Sequence, residues 1–315
     1  MLCLNLLSTD PFFNLAAEEC LLKKSTEEYL ILYINSPSVI IGKHQVAHRE
    51  ADTEYVTKNN IPVIRRISGG GTVFHDQGNL NFTFIINGKK GSQVDFRKYT
   101  LPVIQVLSTL GVEAKFEGKN DLKVNGLKIS GNAEHVYHER VLHHGTLLFN
   151  SQLDVLGKSL RADRSHYSTR AVSSNPSSVI NLKEIISGVK DISEFRQHLL
   201  EYFLDKPGNK IYKLSSQSVY EINSLAEKKF RTWEWNYAYG PEYLFNNSFE
   251  FDGNPYSCHL FVKDGVIKEC KIEGADVMKS ISEKLIGCRH MPEDITKNLS
   301  EEKLLINFVE IIKFF

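Results

Sequence analysis

The run Arg65-Arg66-Ile67-Ser68-Gly69-Gly70-Gly71-Thr72-Val73-Phe74-His75-Asp76 gathers more chemistry-bearing residues than any other stretch of the chain. Three consecutive glycines between strand-like segments cost backbone entropy and give a strand nothing. Their use is close backbone approach, with several N–H groups free to face an anion. Arg65 and Arg66 alternate across the preceding strand, so one should face inward, a clamp for phosphate or carboxylate. The alternative is a glycine-rich bulge; the Arg pair before the loop and His-Asp after it weigh against that. The GxxxxGK[ST] spacing of a P-loop is absent, and a strand rather than a helix follows.

The second stretch runs from Asn120-Asp121 through Lys123, Asn125-Gly126 and Lys128 to Ser130-Gly131-Asn132-Ala133. Asn-Gly between two apolar runs predicts a tight hairpin, with one lysine on each arm. Its small polar end suits a strand over which a ligand fills the space. A single lysine is ordinarily a solvated surface residue, and composition alone does not choose between Lys123 and Lys128.

Strands and helices interleave around these stretches. Asp10 caps a helix with Pro11 at its first position. Strands are expected over 29–35, 39–42 and 62–67, and a helix over 51–60. Residues 72–75 and 80–86 read as a hairpin about Asp76-Gln77-Gly78-Asn79. A helix over 101–110 ends at Gly111, and strands follow over 112–116, 122–124, 127–130 and 141–149. Residues 161–178 carry Arg161, Arg164 and Arg170 and a serine-rich stretch, the composition of a polar lid. Another helix is expected over 195–204, and the aromatic cluster Trp233 to Pro241 closes the first unit. Beyond a boundary near residue 246, 249–263 and 266–272 read as strands joined at Asp264-Gly265, and 277–286 and 304–314 as helices. Two units are expected, 1–246 and 247–315.

With 38 basic and 38 acidic residues among 315, formal net charge is zero, which argues against bulk-charge binding of a polyanion. Hydrophobic residues at 42% and charged residues at 24% are a globular composition. The five cysteines form no CxxC pair and the eleven histidines no HExxH spacing, so neither a disulfide scaffold nor a structural zinc site is expected. No signal peptide, transit peptide or membrane span is expected, and the location expected is cytoplasmic.

RRISGGGTVFHDQGNLNFTF, NDLKVNGLKISGNA and His143-His144-Gly145-Thr146-Leu147-Leu148 together resemble the lipoate–protein ligase A and lipoyltransferase family. FNLAAEE at 13–19, SPSVIIG at 36–42 and Trp233-Glu-Trp-Asn236 agree, so the resemblance spans residues 10 to 240. It implies an α+β fold: a mixed-sheet catalytic domain of the biotin/lipoate ligase type, like class II aminoacyl-tRNA synthetase cores, with a small α+β accessory domain. It implies activation of lipoate by ATP to lipoyl-AMP, then transfer to a lysine of a lipoyl domain, in 2-oxoacid dehydrogenase E2 subunits or the glycine-cleavage H protein. Carried over, Arg66, Gly71, Thr72, Val73 and Phe74 bind nucleotide, and Lys128 contacts both nucleotide and lipoate as the catalytic cation.

Asp121 is the candidate for Mg²⁺ or a nucleotide hydrogen bond, with support of a strand start as the alternative. His75 and His144 are candidate site histidines, with structural roles as the alternative. Val39, Ile41 and Phe84 are candidate tunnel residues that sequence does not separate from core. A transferase using preformed lipoyl-AMP has nearly the same motifs. An octanoyltransferase would need a thioester-forming cysteine, and no cysteine lies in a glycine or lysine motif. A biotin ligase would carry a GRGRxG-type loop, absent here.

Overall fold

The structure is a computed structural model describing residues 1–88, 94–251, 253–274, 277–300 and 311–315. An eight-stranded mixed sheet forms the floor of the first unit. Its strand order is Lys210–Tyr212, Leu2–Asn5, Tyr29–Ile34, Asn79–Asn87, Arg140–Leu148, Leu127–Tyr137, Asp121–Val124, Lys115–Glu117. The helix Pro11–Lys24 covers one face, with the Asp10 carboxylate accepting from Phe12 N–H. The helices Phe96–Thr109 and Ile192–Leu204 cover the other with Phe82, Phe84, Leu107 and Phe195.

A three-stranded sheet, Val63–Arg65, Ser38–Ile41 and Val73–His75, stands beside it. The hairpin expected over 72–86 is therefore not formed. Val73–His75 pairs with Ser38–Ile41, whereas Asn79–Asn87 pairs with Tyr29–Ile34 and Arg140–Leu148. The turn at 76–78 passes the chain from one sheet to the other. The Gly78 carbonyl accepts from Phe149 and Asn150 N–H, anchoring the turn on the large sheet. The helix expected over 101–110 begins earlier, at Phe96, because Asp95 caps it and Pro102 is accommodated inside it.

Asn125 and Gly126 have φ of 51° and 80°, the left-handed pair a two-residue hairpin requires. Asp264-Gly265 turns the same way, at 51° and 68°. The strand expected over 249–263 is two strands, Tyr243–Phe251 and Asn254–Lys263, so residue 246 lies inside a strand. With Val266–Glu273 and the short strand Tyr167–Ser168 they form a four-stranded sheet, covered by the helices Val277–Leu285 and Pro292–Ser300. Most of the helix expected over 304–314 lies outside the described residues. Among the described residues no helix is long and apolar enough to cross a membrane.

Candidate active site

Both arginines of the pair are buried, and they do different work. Arg65 donates to the carbonyls of Lys43 (3.1 Å), Gln45 (2.6 Å), Trp235 (3.0 Å) and Asn236 (2.8 Å). It ties the aromatic cluster at 233–241 to the sheet. Arg66 turns to the glycine loop. Its Nε donates to Ser68 Oγ (2.9 Å), one Nη to the Ile40 carbonyl (3.1 Å), and the other to the carbonyls of Gly69 and Gly71 (2.7 Å to the latter). Burial lowers its pKa to about 10, and Glu18 partly offsets this, so it stays charged near neutrality. With the loop carbonyls held by Arg66, the N–H groups of Gly70 and Gly71 have no acceptor among the described residues. Both glycines line a cavity of about 450 Å³. Unpaired amides beside a guanidinium form an anion site.

Lys128 enters the same cavity from the hairpin. Strand periodicity alone would put Lys128 and Gly131 on opposite faces. A bulge shifts the register, so that Asp121 pairs with Gly131 while Lys123 pairs with Lys128. Lys128 Nζ then reaches Asp121 Oδ1 at 2.8 Å. A Cβ on Gly131 would sit 3.2 Å from Lys128 Cε and Nζ, so glycine leaves the room the lysine occupies. Lys123 pairs instead with Glu117 (3.5 Å) and does not line the cavity. Geometry thus makes the choice that composition left open.

Of the residues named from sequence, Arg66, Gly71, Thr72, Val73, His75, Asp121, Lys128 and His144 all line the cavity. Phe74 does not. Between Val73 and His75 on an alternating strand, it packs with Val39, Ile41, Val56 and Val63. Val39, Ile41 and Phe84 are likewise core, and the apolar lining includes Leu15, Tyr33 and Ile40, with Val73, Phe96, Ala133 and Val172.

Sequence reasoning missed Glu18. It is 1% exposed and accepts from Tyr33 Oη (2.9 Å), Thr83 Oγ1 and His144 Nδ1 (2.9 Å). His144 Nε2 lies 2.7 Å from Ser68 Oγ, which accepts from Arg66. The pattern assigns the Nδ1–H tautomer, and the network joins the Leu15–Tyr33–Ile40 side of the cavity to the glycine loop. The signal available was an acid within the apolar helix segment FNLAAEE.

His75 Nδ1 is held by Asn35 Nδ2 at 2.9 Å, and Asn35 is held by Asn14 at 2.8 Å. Burial pushes the His75 pKa down to about 3, with His144 and Arg66 adding to it. His48 and His290, buried where the two units meet, are also lowered by burial, His290 to about 4. The free value is about 6.5. The unfolded chain therefore binds protons at these sites before the folded one does. Their contribution to stability is complete above about pH 6.5 and is lost as pH falls toward 4 and 3. Urea midpoints at pH 7 and pH 5 should show lower stability at pH 5; an equal or higher midpoint would contradict the buried neutral state.

The polar segment 161–178 forms one wall of the cavity. Ser174 Oγ accepts from Thr72 N–H (2.7 Å) and Gln45 Nε2 (3.0 Å) and donates to Glu50, while Arg164 bridges Glu50 (3.3 Å) and the Ser174 carbonyl (2.7 Å). The segment is thus hydrogen-bonded onto the glycine loop, while Val172 remains 47% exposed. Ligand should tighten it. Backbone hydrogen exchange over 161–178 is expected to slow with lipoate plus ATP, and equal exchange in both states would make it a passive connection.

Among the described residues no three His, Cys, Asp or Glu side chains cluster as a metal cage. Mg²⁺ needs less, since it is commonly held by one or two carboxylates together with substrate phosphates. Asp121, on the cavity wall, fits that donor set.

A mixed sheet thus carries a buried arginine, a glycine anion loop and a lysine–aspartate pair around one cavity. Residues 10–204 match the lipoyl protein ligase A/B catalytic domain, and residues 240–313 match the bacterial lipoate protein ligase C-terminus. The chain belongs to the lipoate–protein ligase family. It is 38% identical over 310 residues to lipoate–protein ligase 1 of Staphylococcus aureus, covering 96% of this chain and 94% of that one. Among solved structures it resembles a lipoate–protein ligase A bound with ATP, with TM-score 0.63 and 27% identity over 75% of this chain and 98% of that one. A bipartite lipoate protein ligase of Thermoplasma acidophilum, solved with its E2 lipoyl domain, gives the same score and identity over 75% and 96%.

Proposed function

We propose that the chain is an ATP-dependent lipoate–protein ligase. The observation that carries this is the convergence of Lys128, Asp121, the Arg66-held loop and an apolar lining on one cavity, in a chain of this family. The lipoate carboxylate attacks the α-phosphorus of ATP, pyrophosphate leaves, and lipoyl-AMP remains. The amine of an acceptor lysine then attacks the acyl carbon, AMP leaves, and an amide forms. Both steps build negative charge on oxygens at the carboxylate–phosphate junction. Lys128 Nζ, steadied by Asp121, bridges those oxygens and stabilises that charge. The amides of Gly70 and Gly71 receive phosphate oxygens, and Thr72 and Val73 complete the nucleotide wall. Asp121 would hold Mg²⁺, which would supply charge neutralisation there. Leu15, Tyr33 and Ile40 take the aliphatic part of lipoate, with His75 and His144 beside them.

The chemistry is assigned to the first unit, and the smaller unit, whose first long strand is Tyr243–Phe251, is accessory. The acceptors are lipoyl-domain proteins, E2 subunits and H protein, and the site of action is the cytoplasm. Lipoate-dependent exchange of labelled pyrophosphate into ATP tests the reading. Exchange is expected, and its absence alongside transfer from supplied lipoyl-AMP would make the chain a transferase only.

An acyltransferase working through a thioester is disfavoured because no cysteine lines the cavity. Replacing each cysteine by alanine in turn should leave the transfer rate per folded molecule within about twofold. Loss of transfer in any one of them, with a trapped acyl-thioester in the parent, would reverse the assignment.

A further inference from the structure

Two adjacent histidines on the strand Arg140–Leu148 face opposite sides of the sheet. His144 belongs to the network above. His143 is fully buried among Phe82, Phe96 and Tyr99, with ring centroids 5.4 to 6.1 Å away. Nothing in the proposed reaction uses it. Its cross-strand partner is Glu134, whose side chain is 3% exposed and whose Oε1 lies 2.8 Å from His143 Nδ1. Glu134 Oε2 has no partner among the described residues, so this carboxylate serves only the histidine.

The other ring nitrogen, Nε2, lies 3.3 Å from Asn132 Oδ1. The Asn132 amide is fixed in that sense because its Nδ2 donates to the Asn120 carbonyl (3.0 Å) and to Ser130 Oγ (3.1 Å). Asn132 N–H donates to the same carbonyl (2.9 Å), and Asn120 Nδ2 returns a bond to the Asn132 carbonyl. Asn120 immediately precedes Asp121, the partner of Lys128. A continuous set of hydrogen bonds therefore runs from a carboxylate in the aromatic core, through the sheet, to the wall of the cavity.

We propose that Glu134 and His143 are positioning residues, which set Asn132 and Asn120 so that Asp121 stands against Lys128. The proposal rests on the role given to Lys128 above. Glu134 holds the Nδ1 side of the ring, and wherever the proton between them sits, Nε2 keeps its own and donates to Asn132. Burial pushes the His143 pKa down and Glu134 partly opposes it. A buried carboxylate with one partner is a costly way to fill a core.

The test separates positioning from packing. If Glu134 were merely structural, Glu134→Leu would keep the parental kcat per folded molecule, whatever the lost partner of His143 costs in stability. Positioning predicts a folded Glu134→Leu whose kcat for pyrophosphate exchange falls about tenfold, the size of one lost hydrogen bond. The KM for acceptor should not move. Glu134→Gln, whose amide can still hold Nδ1, should recover most of the rate. His143→Phe should match Glu134→Leu, and the double variant should be no worse than either, since both break one path.

A second readout needs no activity. Acylation of Lys128 by an amine-reactive reagent, followed by peptide mass spectrometry, should be several-fold faster in Glu134→Leu than in the parent or in Glu134→Gln, as Asp121 no longer shields it. Unchanged labelling of Lys128 in folded Glu134→Leu would overturn the proposal. Absence of exchange in the parent would overturn the ligase reading alone.

Discussion

Lys128→Ala is expected to lower lipoyl-adenylate formation by about 10²–10³, the cost typical of removing one charged transition-state contact. The fold should survive. The Lys128 and Asp121 side chains keep 21% and 18% of their exposure, so water can solvate the carboxylate left behind. Partly exposed ion pairs contribute about 0–1 kcal/mol, and the change in unfolding free energy should stay in that range. Lys128→Arg should recover little, because a planar fork does not replace a compact ammonium fitted against Gly131. Pyrophosphate exchange and urea unfolding measured on the same preparations check both halves. A variant that keeps near-parental exchange would remove Lys128 from the reaction.

The second large effect is at Arg66. Its guanidinium joins four acceptors, Ser68 Oγ and the carbonyls of Ile40, Gly69 and Gly71. Lysine can reach one or two of these and places a strongly hydrated charge in a site that is 4% exposed. Arg66→Lys should therefore cost about 2–4 kcal/mol of stability, the range expected for unmade bonds to a buried charge. It should lower adenylation about 10²-fold or more even in the folded fraction, because the loop carbonyls lose the clamp that leaves the Gly70 and Gly71 amides to the anion. Isothermal titration with ATP would show the same loss in binding. Parental affinity for ATP in a folded Arg66→Lys would mean the loop holds its shape unaided.

The elements that position the site were legible where a local signal sets them. Asp10-Pro11 announced the first helix, and Asn125-Gly126 announced the hairpin that carries Lys128. The glycine loop and its arginines could be read as an anion clamp; strand alternation did not choose between the two arginines, both of which are buried, whereas the family resemblance named Arg66. Register was the hidden quantity. The bulge between the arms of the 121–131 hairpin selects Lys128 over Lys123, and nothing in the string of residues marks it. The passage of the chain at Asp76–Gly78 from one sheet to another looked like a hairpin, because turn chemistry is the same in both cases. Glu18, Glu134, Asn132 and Ser174 stayed invisible for a common reason. Each acts through partners on another element of the fold, and spacing says nothing about such pairs until the sheet is assembled.

Mass spectrometry of a lipoyl-domain acceptor, incubated with the full chain, ATP, Mg²⁺ and lipoate, tests the central claim most directly. The acceptor should gain the mass of one lipoyl group on a single lysine, with AMP and pyrophosphate formed in step, and Lys128→Ala should slow the gain by about 10²–10³. An acceptor that stays unmodified with the parent chain, or gains the group without ATP and without supplied lipoyl-AMP, would contradict the account.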